Sequence, residues 1–185
     1  MKRALLPMAV CAALAAAPAL AGQAAQQPAT GTQVAAAAAT LSKSDQTFVH
    51  QAAVAGMAEV AEAQLALDKA KSDEVKQFAQ RMIDDHTKAN DQLKQLAAAK
   101  QITLPAALDA KHKAEQARLE KLSGAAFDHA YIQNQVKAHQ QAVALFRTES
   151  ETGGDPELKQ FAAQTLPILQ QHHDAVVALA KNRTS

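Results

Sequence analysis

Aromatic residues, glycine and proline are all scarce in this sequence. Aromatics make up 3% of the 185 residues, tryptophan is absent, and glycine and proline number six each. Strands favour aromatic and β-branched residues, whereas the alanine, leucine, glutamine and lysine that are abundant here favour helices. The composition therefore predicts an all-α protein, and the length suits one compact domain with a tail.

Several functional classes lack their sequence signals. The formal net charge is +1 and no basic stripe is interleaved with aromatic residues, so nucleic acid is not an expected partner. Neither a glycine-rich phosphate loop nor a nucleophile elbow is present. No segment after the N-terminal one is long and apolar enough to span a bilayer. A protein partner or a homo-oligomer is left open.

The N-terminal segment has the layout of a cleavable secretory signal. MKRALLPMAVCAALAAAPALAG combines a basic start, an apolar run and small residues at Ala19 and Ala21. We predict a signal peptide over 1–21 and a bacterial protein that is periplasmic or secreted. A lipoprotein signal at Cys11 is a weaker alternative because Val10 precedes the cysteine, and an uncleaved anchor is another. Cys11 is the only cysteine, so cleavage would exclude a disulfide within the chain.

Five helical segments are predicted after a low-complexity leader. Residues 22–43 are mostly Ala, Gln and Thr, with too little apolar bulk to fold, and the helical bundle is predicted over 44–182. Apolar stripes at helical spacing and N-cap residues delimit the helices. The predicted helices run from about Asp45 to Ala70, from Ser72 to about Ala99, from an Asp109 cap to near Leu122, from just after Gly124 to about Glu151 and from Pro156 to about Lys181.

The connections between these helices predict the fold. Short connections make helices one and two, and helices four and five, antiparallel neighbours. The long stretch over 100–124, interrupted by Pro105, joins the two pairs. EVKQFA at 74–79 recurs as ELKQFA at 157–162, although two amphipathic helices can share such a pattern by chance. The fold class is an all-α, ferritin-like four-helix bundle of two antiparallel helix hairpins joined by a long crossover containing a short helix.

Three of the seven histidines lie within apolar stripes. They are His86, His139 and His172, and each falls within about four residues, or roughly 6 Å, of its predicted helix midpoint. Glu59 lies near the middle of helix one, at the flank of its stripe, and Glu62 is expected to point further out. One polar group from each main helix is therefore expected in a single layer of the bundle.

Imidazoles and a carboxylate from facing helices form a borderline site that suits Zn, Cu, Fe or Mn. The alternative is a structural polar layer, in which each histidine bonds to a carboxylate, a glutamine or water and fixes the helix register. No catalytic residue is predicted. The predicted metal ligands are His86, His139, His172 and Glu59, and the candidates for their outer hydrogen-bonding partners are Asp85, Gln135 and Glu62.

The sequence resembles the bacterial secreted proteins grouped as domain of unknown function 4142, which are classed as ferritin-like. The resemblance covers about 48–181 and rests on GMAEVAEAQLAL, VKQFAQRMIDDHTKANDQL, LSGAAFDHAYI and LKQFAAQTLPILQQH, in this order. It implies an extracytoplasmic four-helix domain without an established activity. It also matches the family's histidine-bearing segments to His86, His139 and His172, and its helix-one glutamate to Glu59.

The wider ferritin-like class implies a di-iron centre, which uses Glu-x-x-His motifs on two helices. Here Ile83, Val136 and Leu169 stand three positions before the histidines, so those carboxylates are missing. Three hypotheses follow. The first is a periplasmic binding or envelope-stress domain with a transition metal in its polar layer, and the second is a structural or protein-interaction bundle. The third, a ferritin-like oxidase or peroxide-consuming enzyme, is disfavoured by the missing carboxylates.

Overall fold

The computed structural model describes residues 41–182. The predicted signal peptide over 1–21 and most of the leader over 22–43 lie outside the described residues. No helix within 41–182 is long and apolar enough to cross a membrane. Lys43, the last residue of the predicted leader, is the first residue of a helix. The five helices, whose ends agree closely with those predicted, are α1 Lys43–Lys69, α2 Asp73–Ala99, α3 Ala110–Glu120, α4 Gly124–Thr152 and α5 Pro156–Asn182.

Side-chain caps fix where most of these helices begin. A helix N-terminus leaves backbone N–H groups without partners, and a short oxygen-bearing side chain accepts one of them. Ser72 Oγ accepts from Val75 N at 3.4 Å, and Asp155 Oδ1 accepts from Leu158 N at 3.0 Å. Asp109 Oδ1 caps α3 in the same way, at 2.9 Å from His112 N. These caps were all expected from the sequence.

The helices form two antiparallel hairpins, α1–α2 and α4–α5, joined by a crossover that contains α3. Between the hairpins, α1 packs on α4 and α2 packs on α5, while α3 lies against α1 and α4. The crossover returns the chain to the end of the bundle where α1 stops and α2 starts, so α4 runs antiparallel to α1. This is the connectivity predicted, and it is that of ferritin-like bundles.

A buried aspartate of each hairpin binds the turn of the other hairpin. Asp128, in the first part of α4, accepts from Lys71 N at 2.9 Å and from Ser72 N at 3.1 Å in the α1–α2 turn. Asp45, in the first turn of α1, accepts from Gly154 N at 2.9 Å in the α4–α5 turn. Both aspartates are 1% exposed. The two hairpins are thus tied to each other at both ends of the bundle.

The core consists of two apolar clusters with a polar layer between them. One cluster, near the α1–α2 turn, includes Phe78, Phe127 and Tyr131. The other, near the α4–α5 turn, includes Phe48 and Phe161. The helix segments between the two clusters carry most of the buried polar side chains of the described residues. These are Glu59, Glu62, His86, Gln135, His139 and His172.

Candidate metal centre

Three imidazoles from three helices meet in the polar layer. One ring nitrogen each of His86 on α2, His139 on α4 and His172 on α5 lies within 4.8 Å of the other two. The ring centroids are 5.4 to 5.6 Å apart. His139 and His172 are 0% exposed and His86 is 7% exposed. The structure therefore brings together the three histidines expected to share one layer.

Hydrogen bonds orient two of the three rings. His139 Nδ1 donates to the Gln135 carbonyl oxygen at 3.1 Å, and His172 Nε2 donates to Asp85 Oδ2 at 2.8 Å. Each ring then keeps one unprotonated nitrogen, His139 Nε2 and His172 Nδ1 respectively. Neither atom has a hydrogen-bond partner in the described part of the chain, and neither has His86 Nε2. Two buried lone pairs, on His139 Nε2 and His172 Nδ1, and the buried His86 Nε2 thus lack a hydrogen-bond partner among the described residues.

Burial keeps these imidazoles neutral. It lowers the pKa of His86 well below the usual value, and the neighbouring His139 and His172 lower it further. Burial likewise lowers the pKa of His139 to about 4 and that of His172 to about 4. The bond from His172 to Asp85 acts in the opposite direction but is the smaller effect. At neutral pH the free nitrogens are therefore lone-pair donors, the form in which histidine binds metals.

The donor set has the composition that a transition-metal ion needs. Buried polar atoms in proteins almost always have hydrogen-bond partners, and an unsatisfied one costs about 1–3 kcal/mol. Two nitrogens that bind one ion at about 2.0–2.1 Å lie about 3.5 Å apart, so the rings need to approach each other by about 1 Å. Small side-chain rotations supply such a closure. Three neutral imidazoles in a buried layer can hold Zn, Cu, Fe or Ni.

Glu59 is buried beside the histidines but is not part of the three-nitrogen cluster. Its Oε1 lies 3.9 Å from His139 Nδ1, the nitrogen that already donates to the Gln135 carbonyl. Its Oε2 has no partner among residues 41–182. Burial raises the pKa of Glu59 to about 7, against the smaller effects of Gln135 and His112. A proton or a cation close to Glu59 would therefore offset the cost of burying its charge.

Glu62 does not point outward as expected, because it is only 3% exposed. The prediction considered α1 alone, whereas α4 supplies donors that hold the carboxylate inside. Glu62 Oε2 accepts from Asn134 Nδ2 at 2.6 Å and from Gln135 Nε2 at 3.4 Å. Burial raises the pKa of Glu62 to about 8, and the charge of Glu59 contributes in the same direction.

Sequence reasoning missed two polar residues of this region, Asn134 and Tyr131. Asn134 binds Glu62, as described above. The Tyr131 hydroxyl is buried and has no partner among the described residues. Burial, followed by the charges of Glu59 and Glu62, raises its pKa well above the usual value. The sequence could have indicated both residues, because they lie on α4 one to two turns before His139.

A groove between α1 and α4 reaches the polar layer from the surface. Its volume is about 890 Å³. Small residues of α1 and α4 leave this space open, α3 lies along it, and side chains of α2 and α5 close its inner end. We call it the α1–α4 groove. Its polar lining includes His50, Glu59, Glu62, His86, Asn90, His112, Glu115, Arg118, His129 and Asn134.

The family of the chain follows from a comparison with family models. The model described as "Domain of unknown function (DUF4142)" matches residues 30–179. The chain belongs to the DUF4142 family. This match confirms the resemblance found in the sequence. No curated protein matches at a significant level.

Two solved structures are similar to this DUF4142 chain. The crystal structure of a DUF305 fragment from Deinococcus radiodurans aligns with a TM-score of 0.68 and 15% identity, over 77% of this chain and 98% of that one. CopM in the Cu(II)-bound form aligns with a TM-score of 0.64 and 19% identity, over 75% of this chain and 96% of that one. At these identities both similarities show the fold alone.

Proposed function

We propose that this DUF4142 domain binds one transition-metal ion through His86, His139 and His172. The observation that carries the proposal is the cluster of three buried histidines, whose ring nitrogens come within 4.8 Å of one another and each of which has one ring nitrogen without a partner among the described residues. In a structural polar layer each of these nitrogens would need a donor or a water, and none of residues 41–182 supplies a donor. A metal ion satisfies all three at once.

The donor chemistry supports copper or zinc in particular. Imidazole suits both metals, and an N-donor site generally prefers Cu(II) to the other divalent first-row ions. CopM, which shares the fold, has been solved in a Cu(II)-bound form, and this adds support for copper. We therefore rank Cu(II) first and Zn(II) second for this site.

Two carboxylates complete the proposed site. Asp85 accepts from His172 Nε2 and leaves Nδ1 with the lone pair, and a carboxylate partner of this kind is common among metal-binding histidines. Glu59, expected from the sequence as a fourth ligand, contributes negative charge at the polar layer, where it would balance part of the charge of a divalent ion. With three imidazoles and no further ligand in the cluster, an ion held there would have a coordination position available for water or an exchanging ligand.

The proposed place of action is the bacterial periplasm or the exterior. The support is the N-terminal pattern of a basic start, an apolar run and small residues before Gly22. Mature protein from the periplasmic fraction is expected to begin at Gly22, which N-terminal sequencing measures. Binding of a transition metal there suits a role in metal handling or envelope stress. Protein that keeps residues 1–21 and stays with the membrane would contradict cleavage.

The metal proposal is tested by titrating metal-free protein with Cu²⁺ and, separately, Zn²⁺, and counting bound metal by elemental analysis. We expect one ion per chain. His172→Gln removes one ligand and should weaken binding by about 100-fold or more. His173→Gln is the matched control, because the neighbouring His173 ring is outside the cluster and lies 3.7 Å from Asp174.

Two results would reject the proposal. One is metal-free wild-type protein that binds less than a tenth of an equivalent of either ion. The other is equal affinity in the His172→Gln and His173→Gln variants. Either result would favour a structural or protein-interaction bundle. Consumption of oxygen or peroxide by metal-loaded protein would instead point to the ferritin-like oxidase hypothesis.

A further inference from the structure

We propose that the α1–α4 groove is the path by which a metal ion reaches and leaves the three histidines, with Glu62 holding the ion on the way. This inference rests on the proposed metal-binding function and adds to it a route and a transit residue. The route concerns the rate of metal exchange, whereas the three histidines determine its equilibrium.

The burial of the histidines makes a defined path necessary. Protein interiors are packed as densely as organic crystals, so an ion does not pass between closely packed helices. His139 and His172 are 0% exposed and do not line the groove. His86 is 7% exposed and does line it. His86 is therefore the ligand that an ion arriving through the groove meets first.

The groove is large enough for a hydrated ion. A water molecule occupies about 30 Å³ of liquid volume, so six waters around an ion need about 180 Å³. The groove offers about 890 Å³. Its α1 wall contains Ala55, Gly56 and Ala58, and its α4 wall contains Ala138 and Ala142. These short side chains keep the two helices from filling the space between them.

The polar groups at the inner end of the groove suit a cation, while exposed lysines of α3 and α4 also line its outer part. His50 and His129 are exposed at its outer part, and His112 is half-buried. Deeper inside, Glu59 and Glu62 both line the groove although each is more than nine-tenths buried. Carboxyl oxygens bind divalent cations, and a cation that comes close favours the ionised form of these buried groups, so both can exchange a proton for a passing ion.

Of the two carboxylates, Glu62 is the better placed to hold an ion on its way through the groove. Two amide donors, Asn134 Nδ2 and Gln135 Nε2, hold its Oε2 in a fixed position on the groove wall. Glu115 and Arg118 on α3, which also line the groove, act electrostatically on Glu62. Glu62 thus stands where α3, α1 and α4 meet, at the side of the polar layer that lines the groove.

The test compares groove variants with a matched control by stopped-flow association of Cu²⁺ and by release into excess EDTA. Ala55→Leu adds bulk to the groove wall, and we expect both rates to fall by about fivefold or more. Because both fall together, Kd should change by less than about twofold. Ala61→Leu makes the same change at a half-buried position of α1 outside the groove, and it should leave both rates unchanged.

Glu62→Gln tests the transit residue without adding bulk. It should slow Cu²⁺ association by about tenfold, a larger factor than any accompanying loss of affinity. Wild-type rates in both Ala55→Leu and Glu62→Gln, with one ion still bound per chain, would overturn the route and leave the metal site intact. Loss of affinity in Glu62→Gln as large as the loss of association rate would assign Glu62 to the ion's final site instead. Absence of any Cu²⁺ binding by the wild-type chain would overturn the metal site and the route together.

Discussion

A single hydrogen bond determines which nitrogen of His172 keeps its lone pair. Asp85 accepts from Nε2 at 2.8 Å, so the proton stays on that nitrogen and Nδ1 is left unprotonated. Arg81 Nε lies 3.5 Å from the same Asp85 oxygen and helps to hold the carboxylate. The ring is thereby oriented before any ion arrives, which lowers the entropy lost on binding.

Asp85→Asn should therefore weaken metal binding without removing a ligand. An amide in place of the carboxylate donates as well as accepts and carries no charge, so it fixes the ring less firmly. We expect affinity to fall by about 10–100-fold. Asp84→Asn is the control, because Asp84 accepts from Gln80 at 2.9 Å and does not contact the histidines. Competition with a chelator of known affinity measures both variants, and equal values would contradict this role of Asp85.

His139→Leu should abolish tight metal binding but stabilise the metal-free protein. Leucine fills a similar volume and carries no unsatisfied nitrogen, so we expect a gain of about 1 kcal/mol in the free energy of unfolding at pH 7. The gain should increase on acidification. The unfolded chain takes up a proton near pH 6.5, whereas folded His139 stays neutral down to about pH 4, so falling pH destabilises the wild type through this window.

The measurement is urea denaturation of both metal-free proteins at pH 7 and pH 5. Between pH 7 and pH 5, the advantage of the variant over the wild type in the free energy of unfolding should increase by about 2 kcal/mol. A variant that is less stable than the wild type at both pH values would contradict the assignment, because it would mean that His139 makes favourable polar contacts. That result would support the hypothesis of a structural polar layer.

At the scale of single residues, the sequence predicts the burial of a side chain when it depends on the pattern of one helix. It does not predict an orientation that depends on partners from a neighbouring helix. His86, His139 and His172 could be placed inside because their helices are amphipathic and their positions lie within the apolar stripes. The orientation of Glu62 could not be predicted, because amides of α4 hold it. Such partners are far apart in the sequence, and no local pattern pairs them.

At the scale of helices and turns, the two aspartates that bind turns join the hairpins. Asp128 accepts two backbone N–H groups of the α1–α2 turn while it is 1% exposed. These donors belong to the α2 N-terminus, where backbone N–H groups lack helical partners and carry partial positive charge. A carboxylate satisfies both donors and complements that charge.

Asp128→Asn should destabilise the bundle by about 2 kcal/mol, since one side-chain oxygen is replaced by an NH₂ group that faces backbone N–H donors. Asp68→Asn, at an exposed position of α1, should change the free energy of unfolding by less than about 0.5 kcal/mol. Thermal and urea denaturation of the metal-free proteins measure both changes. Equal free energies of unfolding in the two variants would show that other contacts hold the turn.

The helices themselves were the easiest part to predict. Ser72, Asp109 and Asp155 stand at helix starts because their side chains cap backbone N–H groups within three residues. Such interactions are local and can be read from a short window of sequence. Pro167 lies inside α5, and the helix continues through it as the predicted bounds require. The turn-binding aspartates were not predicted, because their partners come from the other hairpin.

At the scale of the whole molecule, the histidine cluster links both hairpins. His86 belongs to α1–α2, whereas His139 and His172 belong to α4–α5. An ion bound to all three opposes separation of the hairpins and hence global unfolding. At a free metal concentration of about 100 times Kd, we expect the Tm to rise by about 5–10 °C.

Calorimetry of the wild type with and without Zn²⁺ measures this rise. His172→Gln should show a much smaller rise, while His173→Gln should behave as the wild type does. A similar rise in all three proteins would indicate binding elsewhere on the chain.

The order of the helices and the long crossover, which place donors of both hairpins in one layer, were predictable from loop lengths. The α1–α4 groove was not, since it depends on how far apart two helices pack.

The reciprocal aspartates bear on the history of the chain. When EVKQFA is aligned with ELKQFA, Asp45 falls on Asp128, so the two turn contacts are equivalent. The histidines are not, because their counterparts in that alignment are Leu169, Gly56 and Ala89. If one hairpin arose by duplication of the other, the repeat supplied the scaffold alone. The two copies then diverged at every donor position, and neither hairpin of the present chain carries the full set by itself.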